Sequence, residues 1–518
     1  MDEFQVKLNP VKAKPVKQTL ALTTMGACLL LGIVGAFLFD GQSWGINLAL
    51  FGLLLMSVLL FLRKRGRQPL GYVGFMLVAS GIFFVVALVW RDSLVLNGLS
   101  ALGILLTINL AFTLGTRQRL QRLYVSEVFQ DLFASSKYGI TSFHDLITED
   151  VRWDEVQQRW GQFGRAVLRG LMITIPLLVV FGMLLTASDA RFEEMVHKIL
   201  DWGWDAEKLM QYLATFIVCS WIAVAVLRMS VLNQGKVVQA RPALPAWKLG
   251  SVEIVIVLGT LNILFLSFIA TQFTYFFGGD VLVQSSLGTT YADYARRGFF
   301  QLVTVAFLVI ALLLLVHWLY KPSSQLEKRL YFVFAAIMIV MTMIIETSAA
   351  YRMYLYTRIY GLTELRFYTS VFMLWLVILF LWFSVTVLRG QHRRFAFGAI
   401  LTGMVFMASL HFVNPEAQIA QVNLARLQAG EKFDANYVTS LSADVIPPLL
   451  TALPSLSMEQ RCILWFRLQS HPVLKASGDW RTGDWYTGNW RTWHWSRIQA
   501  VTLLSSVSQP QCQSLSIN

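Results

Sequence analysis

A chain of 518 residues with 56% hydrophobic residues, 14% charged residues and a mean hydropathy of +0.56 does not have the composition of a soluble globular protein, since water-soluble domains carry about a quarter charged residues. The net charge of +13 could serve phosphate contacts, but Lys and Arg stand in short clusters between apolar runs. That pattern belongs to membrane insertion, so nucleic acid is set aside as a partner and the lipid bilayer is the partner implied.

Lys7, Lys12, Lys14 and Lys17 precede a first apolar run at 19–39. The run is too long for a signal peptide's core and no small-x-small cleavage pattern follows before Asp40, so it reads as an uncleaved anchor. Further runs fall near 43–62, 70–90, 95–114, 167–187, 209–230, 251–277, 298–319, 330–350, 368–388 and 395–413. Each is about twenty residues, enough to cross ~30 Å of hydrocarbon at about 1.5 Å per residue. The expected fold is all-α: a polytopic transmembrane helical bundle of about eleven spans with a small, mainly α extramembrane tail. With the N-terminus cytoplasmic, the inside segments hold 25 Lys and Arg residues against 9 in the short outside loops. That asymmetry, with an odd number of spans, puts the tail on the extracytoplasmic side of the membrane. Four segments follow: a four-span part (1–114), a cytoplasmic amphipathic loop (115–166), a seven-span core (167–413) and an extracytoplasmic tail (414–518).

In the loop, Leu120, Leu123, Val128, Leu132 and Phe133 recur at roughly helical spacing among Arg119, Arg122, Glu127 and Asp131, as in an amphipathic helix on the inner leaflet or beneath the bundle. In the tail, Pro415 can open a helix, and Ser457-Met-Glu-Gln460 reads as a capping box before another. Cys28 and Cys219 fall inside apolar runs as packing residues, whereas Cys462 and Cys512 could pair if the tail is extracytoplasmic. Three tandem pentapeptides run from Gly478 to Thr492, each with a central tryptophan (Trp480, Trp485, Trp490). They read as a duplicated, turn-rich linker rather than a row for stacking glycans.

Ionisable groups within spans are costly and mark candidate sites. Glu346 lies deep in its run and Glu253 near the edge of its own, while Gln272, Asn262, Asn109, His317 and His411 are polar but cheaper to bury. No metalloprotease, phosphate-loop or nucleophile-elbow spacing occurs, and nothing calls for a metal or cofactor. Two connectors are rich in polar and aromatic residues. One runs from Gln272 to Gly279 and on through Thr290-Tyr-Ala-Asp-Tyr-Ala-Arg-Arg-Gly-Phe-Phe300. The other runs from Glu346 to Arg352 and on through Tyr360-Gly-Leu-Thr-Glu-Leu-Arg-Phe-Tyr368. The candidate polar cluster is Gln272, Tyr291, Asp293, Arg296, Arg297, Glu346, Arg352, Glu364 and Arg366. A buried carboxylate here needs an arginine partner, so Glu346 or Glu364 is expected to pair with Arg296, Arg297 or Arg352.

These segments, together with Asn414-Pro415, Ile419-Ala420, Asn423-Leu-Ala-Arg426, Tyr437, Leu441-Ser-Ala-Asp444 and Trp490-Arg491, resemble an uncharacterised bacterial family of multi-pass membrane proteins, known only as a domain of unknown function. The resemblance covers roughly residues 165–500 and implies a bacterial plasma membrane and no known activity. Three functional readings stand. The favoured one is a non-enzymatic protein acting in signalling, scaffolding or envelope homeostasis, with an envelope or protein partner at the tail. The second is a transporter or channel with an outward-facing site near Glu346. The third is a membrane-embedded enzyme on lipid or envelope substrates, for which Asp293, Glu346 and Glu364 are the candidate carboxylates.

Overall fold

The computed structural model describes residues 15–39, 44–68, 71–113, 139–151, most of 169–195, 206–232, 250–277, 299–320, 324–391, 394–471, 490–507 and Cys512. Among these residues the chain is helical, without a strand. The helices are α1 (Pro15–Phe39), α2 (Ile46–Arg65), α3 (Tyr72–Trp90), α4 (Leu94–Thr113), α5 (Arg169–Met183), α6 (Ala206–Leu227), α7 (Ser251–Phe277), α8 (Phe299–Leu319), α9 (Gln325–Tyr360), α10 (Glu364–Thr386) and α11 (Phe395–Val413). Nine helices among the described residues are long and apolar enough to cross a membrane, and α4 and α5 contribute shorter apolar stretches. The chain is an all-α, polytopic membrane protein. The amphipathic helix expected over 120–133 and most of the tandem tryptophan segment lie outside the described residues.

The chain divides into two compact units. The first, residues 1–82, 106–116 and 132–240, is built around α1, which packs on α2 and α6. Close approach requires Gly32, because a Cβ there would overlap Ser220 Oγ. Small residues let helices pack where lipid supplies no hydrophobic drive between them. The ends of these helices are tied by charge: Arg63 donates to the Ser230 carbonyl at 3.1 Å, and buried Arg228 pairs with Asp145 at 2.9 Å and Asp150 at 2.5 Å.

The second unit, residues 83–105, 117–131 and 241–518, holds α7–α11 and everything after them. Leu258, Ala306, Leu313, Ala335, Met338, Phe380 and Phe383 are buried in its core. Leu264, Leu308, Val340 and Leu381 are exposed, as lipid-facing positions on spans should be. Helix α9 corrects an expectation. The sequence reading ends a span at 350 and treats 351–367 as a connector, but α9 runs on to Tyr360. Its 36 residues rise about 54 Å at 1.5 Å each, against ~30 Å of hydrocarbon, so Tyr351–Tyr360 are helical beyond the span's needs. Gly361 then ends the helix at φ 79°, and α10 begins at Glu364 rather than near 368.

After α11 the chain forms α12 (Pro415–Gln428), α13 (Ala435–Ser440), α14 (Ile446–Ala452), α15 (Met458–Gln469) and α16 (Trp495–Ser506). The expected capping box at Ser457–Gln460 is present. These helices bury their own apolar cluster around Ile419, Val445, Leu449, Trp465, Leu468 and Leu504. A disulfide joins Cys462 to Cys512. They are called the cap below.

Candidate functional site

Among the described residues of the second unit, a buried polar cluster forms where the short α3–α4 turn meets the cap. Three residues, Arg91, Asp92 and Ser93, connect Trp90 at the end of α3 to Leu94 at the start of α4. On the other side, Asn414 turns the chain from α11 into α12 with φ 53°. Asparagine tolerates that left-handed conformation better than most residues. Its Oδ1 accepts from Ala417 N, its Nδ2 donates to Asp444 Oδ1 at 3.3 Å, and Pro415 occupies the first helical turn, where its missing N–H costs nothing.

Asp444 is the hub. Its Oδ1 receives Arg91 Nη1 at 3.0 Å, and its Oδ2 receives the Asp92 backbone N–H at 3.0 Å. Arg91 also donates through Nε to the His411 carbonyl at 3.0 Å and lies over the Trp90 ring at 4.6 Å. Asp92 answers in kind: its Oδ1 takes Arg497 Nε at 2.7 Å, and its Oδ2 takes the Ala443 N–H at 3.3 Å. Glu416 Oε2 accepts from Ser442 through both its N–H, at 2.8 Å, and its hydroxyl. Burial raises the Asp444 carboxyl above its ordinary range despite Arg91, and pushes Glu416 up to about 7, outweighing the Ser442 hydrogen bonds.

Two histidines are built in as neutral rings. His494 Nδ1 sits 3.0 Å from the Thr492 carbonyl and Nε2 sits 3.4 Å from Asn97 Nδ2, so a proton on Nδ1 satisfies both contacts. Burial lowers His494 to about 4, more than Asp92 raises it. His471 donates Nε2–H to the Leu441 carbonyl at 2.8 Å, and burial lowers it too. Ser100 Oγ lies 2.9 Å from His411 Nε2, a nucleophile–base distance. Both residues are fully buried, however, and His411 Nδ1 has no hydrogen-bond partner among the described residues. Among the described residues no carboxylate bonds the ring, and the pair ties α4 to α11.

A second set of contacts fixes the α9–α10 corner to the cap. Asn423 and Leu362 exchange two hydrogen bonds, Nδ2 to the carbonyl at 2.8 Å and backbone N–H to Oδ1 at 3.1 Å. Arg426 donates to the Ile359 carbonyl at 2.6 Å, and the Glu364 N–H to the Tyr437 hydroxyl at 2.8 Å. Burial raises the Tyr437 hydroxyl above its ordinary value. A Cβ at Gly361 would overlap Asn423 Oδ1, so this corner accepts only glycine.

Of the residues expected from sequence, Tyr291, Asp293, Arg296 and Arg297 lie outside the described residues, as does the side chain of Gln272 near the end of α7. Glu346 is buried in α9, and neither carboxylate oxygen has a hydrogen-bond partner among the described residues. Arg352, also buried, stands six positions further on, about 240° around the helix axis. Glu364 and Arg366 reach the cap corner, where Arg366 bonds the Gly361 carbonyl and lies 3.9 Å over the Tyr356 ring. Arg91, Asp92, Glu416, Asp444, His494 and Arg497 are not among the residues expected from sequence. The sequence signal for them is the set of cap motifs, in which Asn414, Asn423, Tyr437 and Asp444 stand. No group of three or more metal-ligating side chains is placed to hold an ion among the described residues.

A family model described as a domain of unknown function, DUF4153, matches residues 78–452, more than two thirds of the chain. No curated protein and no solved structure shows significant similarity to it.

Proposed function

From the premise that this chain belongs to the DUF4153 family, whose activity is unknown, we propose that it is a non-enzymatic plasma-membrane protein of bacteria that holds its cap outside the cytoplasm for scaffolding or envelope homeostasis. One observation carries the reading: the ionisable groups of the cluster are directed at one another and at backbone. Asp92, Asp444 and Glu416 each accept bonds from neighbouring donors, and the described histidines around them are bonded as neutral rings or sealed from solvent. A catalytic pair needs one group left available at a surface a substrate can reach. This cluster is instead a clamp that fixes the cap on α3, α4, α10 and α11. The excess of Lys and Arg on the segments assigned inside supports the orientation, as does the Cys462–Cys512 disulfide, a bond that persists in oxidising compartments.

A second reading, a transporter or channel, draws on Glu346. A carboxylate this buried in a span is costly as a charge and often belongs to a proton or ion path.

A strain lacking the protein tests both readings. On the scaffolding reading, complementation by the full chain restores tolerance of detergent and osmotic shock, and Arg91→Gln/Asp444→Asn does not. A C-terminal alkaline phosphatase fusion is active, and proteoliposomes of the pure protein neither dissipate a proton gradient nor take up ions. A gradient dissipated by the wild type and preserved by Glu346→Gln would establish the transporter instead.

A further inference from the structure

Beside the clamp, between α12, α14 and the start of α16, the cap opens into a cleft of about 850 Å³. This lies within the range that holds small ligands. Among the described residues its charged lining groups are Arg91 and Asp444, and these pair at 3.0 Å with side chains 12% and 2% exposed. An ionic ligand therefore finds no uncompensated charge. The remaining polar lining is neutral: the exposed amides of Gln421 and Gln499 can donate and accept, and the hydroxyl of Thr451, which donates to the Pro447 carbonyl at 2.9 Å, can still accept. Deeper in, Ser496 is 4% exposed, and its Oγ is buried with no hydrogen-bond partner among the described residues. A buried hydroxyl without a partner costs about 1–3 kcal/mol, a cost that a ligand hydroxyl reaching it would relieve. At the rim stands Trp495, 55% exposed although it opens a well-packed helix. An indole so placed offers an apolar face and a polar N–H together.

We propose that this cleft binds an uncharged sugar ring, with Trp495 stacking on the apolar face of the pyranose and Gln421, Gln499 and Ser496 hydrogen-bonding its hydroxyls. The lack of net charge disfavours phosphates, carboxylates and cations. The amide-and-hydroxyl lining disfavours an acyl chain or an apolar peptide, which would leave those groups without partners. A polyhydroxylated ring satisfies both conditions. The ring can arrive as a free oligosaccharide or as the headgroup of a glycolipid, because the mouth includes Trp90 at the end of a span. The proposal concerns the cleft alone and holds whichever side of the membrane the cap occupies.

The test uses the full chain in nanodiscs, titrated calorimetrically with maltotriose and chitotriose. A second arm uses flotation with phosphatidylglycerol vesicles, with and without galactosyl diacylglycerol. At least one sugar probe binds with a Kd in the micromolar to millimolar range, as expected of a solvent-open site with few anchors. Trp495→Ala weakens it by about tenfold or more, and Gln421→Ala, on an exposed helix face, weakens it severalfold. Trp490→Ala, an exposed tryptophan outside the lining, leaves it unchanged. Binding in the calorimeter assigns a free saccharide, whereas binding only to glycolipid vesicles assigns a headgroup. The proposal is overturned if no probe binds at about 10 mM. It is also overturned if Gln421→Ala and Trp495→Ala, with unchanged melting temperatures, bind as the wild type does.

Discussion

Replacing Glu416 with glutamine removes one titration from the cap and leaves its hydrogen-bond acceptor in place. In the wild type, burial lifts this carboxyl from 4.5 to about 7. Between those values the folded cap holds a proton that the unfolded chain releases, so stability falls as pH rises through the window. With 1.36 kcal/mol per pKa unit, the loss between pH 5 and pH 8 is about 2.5 kcal/mol. His494 works in the opposite sense. Its folded value is lowered from 6.5 to about 4, so the unfolded chain takes up a proton that the folded cap refuses, and stability rises by about 2 kcal/mol from pH 5 to pH 8. These two slopes oppose each other, and the other buried titrating groups of the cap, Asp444 and His471 among them, add their own. In Glu416→Gln this one contribution is absent while the others are shared with the wild type, so the cap gains on the wild type by about 2.5 kcal/mol as pH goes from 5 to 8. Pulse proteolysis in urea, on protein held in nanodiscs and across that pH range, reads the difference. Parallel profiles for the two proteins would falsify the claim that Glu416 is buried as a proton-holding group.

Two further changes probe the same architecture. Gly361→Ala forces a Cβ against Asn423 Oδ1 at a backbone angle that disfavours side chains. It is expected to destabilise the protein by about 3 kcal/mol or more, and a melting temperature within a degree or two of wild type would contradict the corner's geometry. Asp92→Asn removes the charge paired with Arg497, which keeps its bond to the Thr492 carbonyl, and weakens the hold on Ala443, with an expected loss of about 1–2 kcal/mol. In a cycle with Arg497→Gln the double variant should lose less than the sum of the singles by about 1 kcal/mol, and strict additivity would show that the pair contributes nothing.

Much of the membrane part is legible in the sequence because a span needs little beyond length and apolarity, and runs such as 209–230 and 251–277 coincide with α6 and α7 to within a few residues. The caps of α12 and α15 are legible for a similar reason, since Asn414-Pro415 and Ser457–Gln460 each act over one turn. The error at α9 has a physical origin. Tyr351, Arg352, Tyr354 and Arg358 lower the hydropathy, which marks the edge of a span, but they do not end a helix. Only the positive-φ glycine at 361 does that, and hydropathy gives a glycine no special weight.

The clamp was not legible because its chemistry is divided among distant segments. Arg91 meets Asp444 across 353 positions and Asp92 meets Arg497 across 405. Taken singly, each looks like a solvated charge beside a span. Sorting ionisable residues by depth in the membrane therefore selected Glu346 and passed over residues buried by the cap rather than by lipid. The position of the clamp also explains why it is polar. Apolar contact is non-directional, so an apolar seam would let the cap slide along α3 and α11 at small cost. Asp444 can take Arg91, Asn414 and the Asp92 N–H in only one register. A slip by one turn would strand several buried polar groups at about 1–3 kcal/mol each. Such a seam contributes modestly to total stability, because desolvation offsets much of the attraction, yet it fixes the placement of the cap. A scaffold requires that fixed placement, and a protein that works by opening and closing the same junction would be impeded by it.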